Sequence, residues 1–263
     1  MVNASDIHSS RTVRAAVAPL LGEPRIANAL TSQLLAGEIV TVLDERGDWL
    51  QVRGADGYEG WTHTGYLSAV RGDEASWPWS LGCETGDMHD VREEARHMRA
   101  LPLGARFAPE HDVIAGAWVS APELPSMFPP DRSMIAATAA SFFRGASYLW
   151  GGVTPWGVDC SGLVQRAARL HGVLLPRDAW QQADATDPVS TDARADHAPS
   201  DLLFFSDRDD RRITHVGLAL GDGRMVHSAL TRGGVAVEHL DADDPYIVRL
   251  RAQCIGVHRL RLP

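Results

Sequence analysis

The stretch WGGVTPWGVDCSGLVQ, residues 150–165, runs from a glycine-rich, tryptophan-punctuated loop into a cysteine. Beyond it, SGLVQRAARLHG (161–172) spaces its apolar residues as a helix does and ends on a glycine. Cys160 therefore falls at the opening of a helix that stops at Gly172. Upstream, MIAATAASFFRG (134–145) predicts another helix with the same kind of stop. Downstream, a polar stretch from Asp184 to Ser200 reads as loop. Strand-like runs follow: DLLFFS (201–206), ITHVGLAL (213–220), RMVHSAL (224–230), GVAVEHL (234–240) and CIGVHRLRL (254–262). Helices first and strands afterwards predict an α+β domain over residues 129–263, with helices packed on an antiparallel sheet.

The first half of the chain has a different texture. SQLLAGEIVTVLDERGDWLQVRGADGYEGWTHTGYL (32–67) alternates apolar and polar residues in short runs, and DERGD and RGADG interrupt them. Turn signals at that density predict a small antiparallel barrel. The order of features resembles a bacterial SH3-like domain: GE before a valine-rich strand, GDW at a turn, DGYEGW, then YL. That domain is assigned to residues 1–72. Residues 73–128 read as a second, degenerate SH3-like unit and linker. In it SWPWSLGCETGDMHDV (76–91) is turn-rich, EEARHMRAL (93–101) holds about one helical turn, and LPLGARFA and GAWVSAPEL are strand-like. The proline-rich ELPSMFPPD (123–131) reads as the link to the α+β domain.

The 263 residues carry 44% hydrophobic and 22% charged residues, ordinary for a globular protein. A formal net charge of -9 argues against a general nucleic-acid or anionic-surface binder. The three cysteines, Cys83, Cys160 and Cys254, are widely spaced without a CxxC pair. That pattern disfavours a disulfide framework or a zinc ribbon and suits a reducing compartment. The first residues have no apolar run of signal-peptide length, and no segment reaches the length of a membrane span. The expectation is a cytoplasmic protein without membrane, nucleic-acid, metal or cofactor partners.

A thiol attacks as its thiolate, and a free cysteine has a pKa of about 8.5. A helix N-terminus is expected to lower that value, because unpaired N–H groups favour negative charge there. Asp159 and Ser161 are suited to cap the helix. The same N–H groups can receive an oxyanion, and Gly151, Gly152 and Gly157 would let the loop approach a ligand closely. Cys83 and Cys254 read as buried structural thiols.

A nucleophile needs a base, and the base a partner that orients it. Among eleven histidines, His215 and His227 lie on successive strands. Val216, Leu218 and Leu220 form one face of the first strand. His215, Gly217 and Ala219 form the other, small enough to leave space for a helix end. The intervening turn is close to GDG. A three-residue loop sets His215 opposite Ala229, with His227 two positions away on the same face. A two-residue loop breaks that parity. His171 reads as a charge in the last turn of the cysteine helix. No HxxxH or carboxylate pair turns the two strand histidines into a metal site.

Four segments in order, YLWGGVTPWGVDCSGLVQ, LPRDAWQQA, DLLFFSD and ITHVGLALGDGRMVHS, resemble the NlpC-type cysteine peptidases, a papain-like family of cell-wall peptide hydrolases. The likeness covers about half the chain. It implies a papain-like catalytic domain with Cys160 as nucleophile, His215 as base and His227 orienting His215. It also implies that Tyr148 lines the oxyanion region and that Asp159 and Ser161 are pocket positions. Such a protein cleaves peptidoglycan stem peptides, commonly at the γ-D-glutamyl bond to a diamino acid such as diaminopimelate. Members with a leading SH3-like domain often wall off the cleft with it and accept only stems with a free N-terminal L-alanine. By that resemblance Tyr58 contributes from the wall, and Asp178 is a candidate partner for the substrate ammonium. Ala179 departs from the serine or threonine that the family often carries there. Without an export signal, the implied role is recycling of freed murein peptides. Two alternatives stay open: an amidase or acyltransferase acting on another small amide with the same Cys-His-His set, and a non-catalytic wall-peptide binder.

Overall fold

The protein is described by a computed structural model over residues 8–86 and 98–263. It divides into two compact units, Met1–Leu124 and Pro125–Pro263, with the boundary inside ELPSMFPPD.

In the first unit the short alternating runs become strands β1 (Ser10–Val13), β2 (Val17–Leu21), β3 (Leu30–Leu35), β4 (Ile39–Arg46), β5 (Trp49–Arg53), β6 (Glu59–His63) and β7 (Leu67–Ala69). They form one antiparallel sheet in the order β3-β2-β6-β5-β4-β1-β7. Every second side chain points inward, and Val13, Leu20, Leu34, Val40, Val42, Leu50, Val52 and Leu67 make the core. Gly47, at φ +62°, lets β4 reverse into β5 so that Arg46 pairs with Trp49. Strands β8 (Trp79–Gly86), β9 (Arg99–Leu101) and β10 (Asp112–Val119) form a three-stranded sheet in the order β10-β8-β9. SWPWSLGCETG, read as turn-rich, thus supplies a strand of eight residues. Two bulges, with Gly116 at φ +85° in the partner strand, let that irregular sequence pair. Most of the helical turn assigned to EEARHMRAL lies outside the described residues, and its last three residues are β9. A buried hydrogen bond from Thr12 Oγ1 to Glu74 Oε1 (2.8 Å) and one from the Arg106 N–H to the Ala36 carbonyl (2.8 Å) tie the segment after β7 to the barrel.

The second unit follows α1 (Leu124–Met127), which straddles the boundary. Helix α2 (Arg132–Phe142) is capped by Asp131, whose carboxylate accepts the Met134 N–H. A two-stranded hairpin, β11 (Val153–Thr154) with β12 (Gly157–Val158), leads into α3 (Cys160–Leu170) and α4 (Ala179–Asp184). Strands β13 (Asp187–Ser190), β14 (Leu202–Phe205), β15 (His215–Gly221), β16 (Arg224–Ala229) and β17 (Gly234–His239) follow. Helix α5 (Pro245–Ala252) and β18 (Cys254–Arg259) complete the unit. The six-stranded sheet is antiparallel, ordered β13-β18-β14-β15-β16-β17. Helices α2 and α3 pack against β15 and β16. Leu250 and Tyr246 of α5 join Leu203, Phe205, Ala219, Met225 and Val257 in a buried cluster. This is the α+β architecture expected from the order of helices and strands.

Three local expectations are corrected. The polar stretch 184–200 is not all loop, because β13 adds an edge strand to β18, with Asp187 opposite Arg259. A Pro188 inside it fits an edge, where one missing N–H is tolerated. His171 is not a helix-end charge. It is 2% exposed, its ring nitrogens meet Thr138 Oγ1 and the Pro129 carbonyl, and burial lowers its pKa. The space that Gly217 leaves beside His215 is taken by Met225, whose sulfur would lie 2.2 Å from a Cβ there.

Candidate active site

Asp159 is the residue that turns the loop into a helix. Its backbone is extended (φ −92°, ψ 179°), and its Oδ1 accepts the Gly162 N–H at 2.7 Å, which makes it the N-cap of α3. Its Oδ2 accepts the Gly151 N–H at 2.9 Å, so one carboxylate clips the WGG loop to the helix. The glycines work inside the chain. A Cβ on Gly152 would lie 2.4 Å from the Gly157 carbonyl oxygen, and one on Gly162 2.3 Å from the Gly152 carbonyl oxygen. They let loop, hairpin and helix start press together, where close approach to a ligand had been expected.

Cys160 is the first residue of α3 and is buried. The expected lowering of its thiol pKa is not what the fold produces. Burial, and then the Asp159 carboxylate, push the thiol up to about 11. The Val216 and Ser161 N–H groups and the Arg177 guanidinium oppose that rise without cancelling it. The Val216 N–H reaches the sulfur from the residue next to His215, so β15 and the start of α3 meet at the thiol.

His215 Nε2 and His227 Nδ1 are 2.8 Å apart. The hairpin that sets this distance combines both loop lengths considered from sequence. The turn is the two-residue kind, with Asp222 (φ +53°) and Gly223 (φ +67°) both left-handed, as a tight hairpin requires. The parity lost there is restored by a bulge at Leu220: Gly221 pairs with Arg224, but Ala219 pairs with Met225 and Leu218 with Val226. Carried along, that register sets His215 opposite Ala229 and His227 on the same face. Burial, then the neighbouring His227, lower the His215 pKa to about 3. Each shift favours the uncharged form of its own group.

Ser161 and Asp159 share a buried partner that the sequence reading passed over. Arg177 is 2% exposed. It donates to Asp159 Oδ1 (3.0 Å) and Oδ2 (2.6 Å) and to Ser161 Oγ (2.8 Å). Its signal was its place in LPRDA beside Asp178, where a buried carboxylate elsewhere needs a fork of donors. Asp178 precedes α4 and its N–H donates to Gln181 Oε1 at 3.3 Å. Burial raises its carboxyl pKa against the pull of Arg177. Tyr148 is fixed through its backbone, which donates to the Gly233 carbonyl at 2.9 Å. Burial, then the Cys160 and Asp159 charges, raise its hydroxyl pKa. Behind His227 stands another unread residue: Glu238 Oε1 lies 3.7 Å from its Nε2. Thus the second unit gathers Cys160, His215, His227, Tyr148, Asp159, Ser161 and Asp178. Tyr58 belongs to the first unit, where it packs half-buried against the barrel core. Among the described residues no group of histidines, cysteines and carboxylates is placed to hold a metal ion.

Residues 145–249 match the NlpC/P60 family, and residues 20–65 match the bacterial dipeptidyl-peptidase SH3 domain. A γ-D-glutamyl-L-lysine dipeptidyl-peptidase of Bacillus cereus is 28% identical over 240 residues, covering 80% of this chain and 71% of that protein. The protein of the same name from Bacillus subtilis is 27% identical over 237 residues, covering 80% and 76%. In fold, the chain is similar to the crystal structure of an NlpC/P60 family protein from Bacillus cereus. The TM-score is 0.77 at 21% identity, over 97% of this chain and 100% of that one. The chain is a hydrolase that carries an NlpC/P60 family peptidase domain, with a bacterial dipeptidyl-peptidase SH3 domain ahead of it.

Proposed function

We propose that this peptidase hydrolyses the γ-D-glutamyl bond to a diamino acid in free peptidoglycan stem peptides that begin with L-alanine. The observation that carries the reading is the 2.8 Å contact between His215 Nε2 and His227 Nδ1, beside a cysteine that opens a helix. With Nε2 engaged, Nδ1 is the His215 nitrogen left to take the thiol proton. The Cys160 sulfur then attacks the γ-glutamyl carbonyl. The tetrahedral oxyanion is met by N–H groups at the start of α3 and by the Tyr148 hydroxyl. His215 returns the proton to the departing amine, leaving a thioester, and then deprotonates the water that releases the dipeptide. The raised thiol and lowered imidazole values support proton transfer within the pair on attack rather than a standing thiolate.

Asp178, half-buried and acidic, is the proposed partner of the L-alanine ammonium. The names of the Bacillus relatives support a diamino acid after γ-D-glutamate. A role in murein recycling follows if free stems are the substrate.

The test is incubation with L-Ala-γ-D-Glu-diaminopimelate, the L-lysine analogue and their N-acetyl forms, with products identified by mass spectrometry. Release of the diamino acid from the free peptides and sparing of the acetylated ones is expected. Equal cleavage of both would remove the ammonium requirement, and cleavage of neither would remove the substrate class.

A further inference from the structure

His227 is fully buried, and its Nε2 has no hydrogen-bond partner among the described residues. Glu238 Oε1 faces it at 3.7 Å, a charge-pair distance rather than a hydrogen bond. That carboxylate is itself held. Arg232 Nε donates to Oε1 at 2.6 Å and its NH2 group to Oε2 at 3.3 Å, while Asp244 takes the same guanidinium at 3.1 Å. The approach of His227, then the Arg232 bond, keep the Glu238 carboxyl below its usual range against burial. The Tyr246 ring closes the site, 6.0 Å from the His227 ring and with the Arg232 guanidinium 4.6 Å from its own centre. The groups facing His227 are thus His215 from β15, Glu238 from β17, Arg232 from the turn before it, and Tyr246 and Asp244 at the start of α5.

We propose that Glu238 is a positioning residue that, clamped by Arg232, fixes His227 as the Nε2–H tautomer. The inference rests on the roles proposed above for Cys160, His215 and His227. Its logic is a count of protons. When His215 takes the thiol proton on Nδ1, both of its nitrogens carry hydrogen, and Nε2–H must find an acceptor 2.8 Å away. His227 Nδ1 is that acceptor only if the single proton of the neutral ring sits on Nε2. A carboxylate facing Nε2 favours that tautomer. In the other tautomer Nδ1–H would donate to His215 Nε2, and His215 would carry its proton on the nitrogen that should receive one. Glu238 accepts no proton in this scheme and touches no substrate.

Wild type, C160A, E238A and E238Q are to be compared for kcat and KM on L-Ala-γ-D-Glu-diaminopimelate and its L-lysine analogue. Folding is checked by circular dichroism, and the wild-type His227 tautomer is read by 15N NMR on histidine-labelled protein. E238A is expected to lose kcat by about 10- to 100-fold with KM nearly unchanged, as when an imidazole loses its orienting partner. E238Q keeps an oxygen for Nε2–H and is expected to fall between. An active C160A overturns the reading of the whole site and this inference with it. An inactive C160A beside a folded E238A at full kcat overturns the role of Glu238 alone. Should E238A fail to fold, the wild-type tautomer decides, because a proton on His227 Nδ1 is incompatible with the proposal.

Discussion

At the scale of single residues, the chemistry depends on groups that are not themselves reactive. Arg177 is buried and holds a carboxylate that caps α3, clips the WGG loop and raises the thiol. Replacing it by an apolar residue of similar length leaves Asp159 with its charge uncompensated. R177M should therefore destabilise the protein by about 3–5 kcal/mol, measured by urea unfolding. In the double variant R177M/D159N the loss should be well short of the sum of the two single losses, since both remove one ion pair. Arg177 and Glu238 were also the residues least legible from sequence. Arginine and glutamate are usually surface residues, and only the fold shows that these two turn inward. Cys160, His215 and His227 stood out because a helix opening and two alternating strands display them; the resemblance implied their roles, and the side-by-side placing of the two imidazoles depends on the bulge at Leu220.

At the scale of elements, the start of α3 is set by backbone pressed on backbone. Alanine in a helix is ordinarily more stable than glycine by about 1 kcal/mol. At Gly162 the sign should reverse, because a methyl there meets the Gly152 carbonyl oxygen at 2.3 Å. G162A should cost about 1–3 kcal/mol in thermal or urea melts and reduce activity, since α3 and the loop must separate. The elements themselves were mostly legible. Both main helices and the five later strands follow apolar spacing that the sequence displays openly. The misses share a cause. β8 is interrupted by Gly82 and Gly86 and β13 carries Pro188 among polar residues, and their strand state comes from pairing with β10 and β18 rather than from their own propensity. The burial of His171 and the rise of the Cys160 thiol are likewise tertiary effects. Helix position alone predicts a charged imidazole and a lowered thiol, and the removal of water outweighs both.

At the scale of the whole molecule, those buried groups couple the active site to global stability. The His215 pKa falls from 6.5 to about 3 on folding, so between those values the unfolded chain binds a proton that the folded chain refuses. Stability from this group is complete above about pH 6.5 and is lost as pH falls towards 3. Cys160 works in the other direction. Its folded pKa of about 11 exceeds the ordinary 9.0, so its contribution is complete below pH 9 and is lost as pH rises towards 11. Thermal melts across pH should therefore fall on both flanks, with H215N flattening the acid side and C160A the alkaline side.

The hairpin between β15 and β16 carries a consequence for how this protein can diverge. An exposed two-residue tip is normally where natural variation is cheapest. Here its length and the extra residue at Leu220 cancel each other's half-turn of the pleat. One residue gained or lost at either place would swing one imidazole to the wrong side of the sheet and leave the other stranded. Only paired changes, tip and kink together, would keep the lineage alive, so this tip should be as resistant to drift in length as the proposed nucleophile is to replacement.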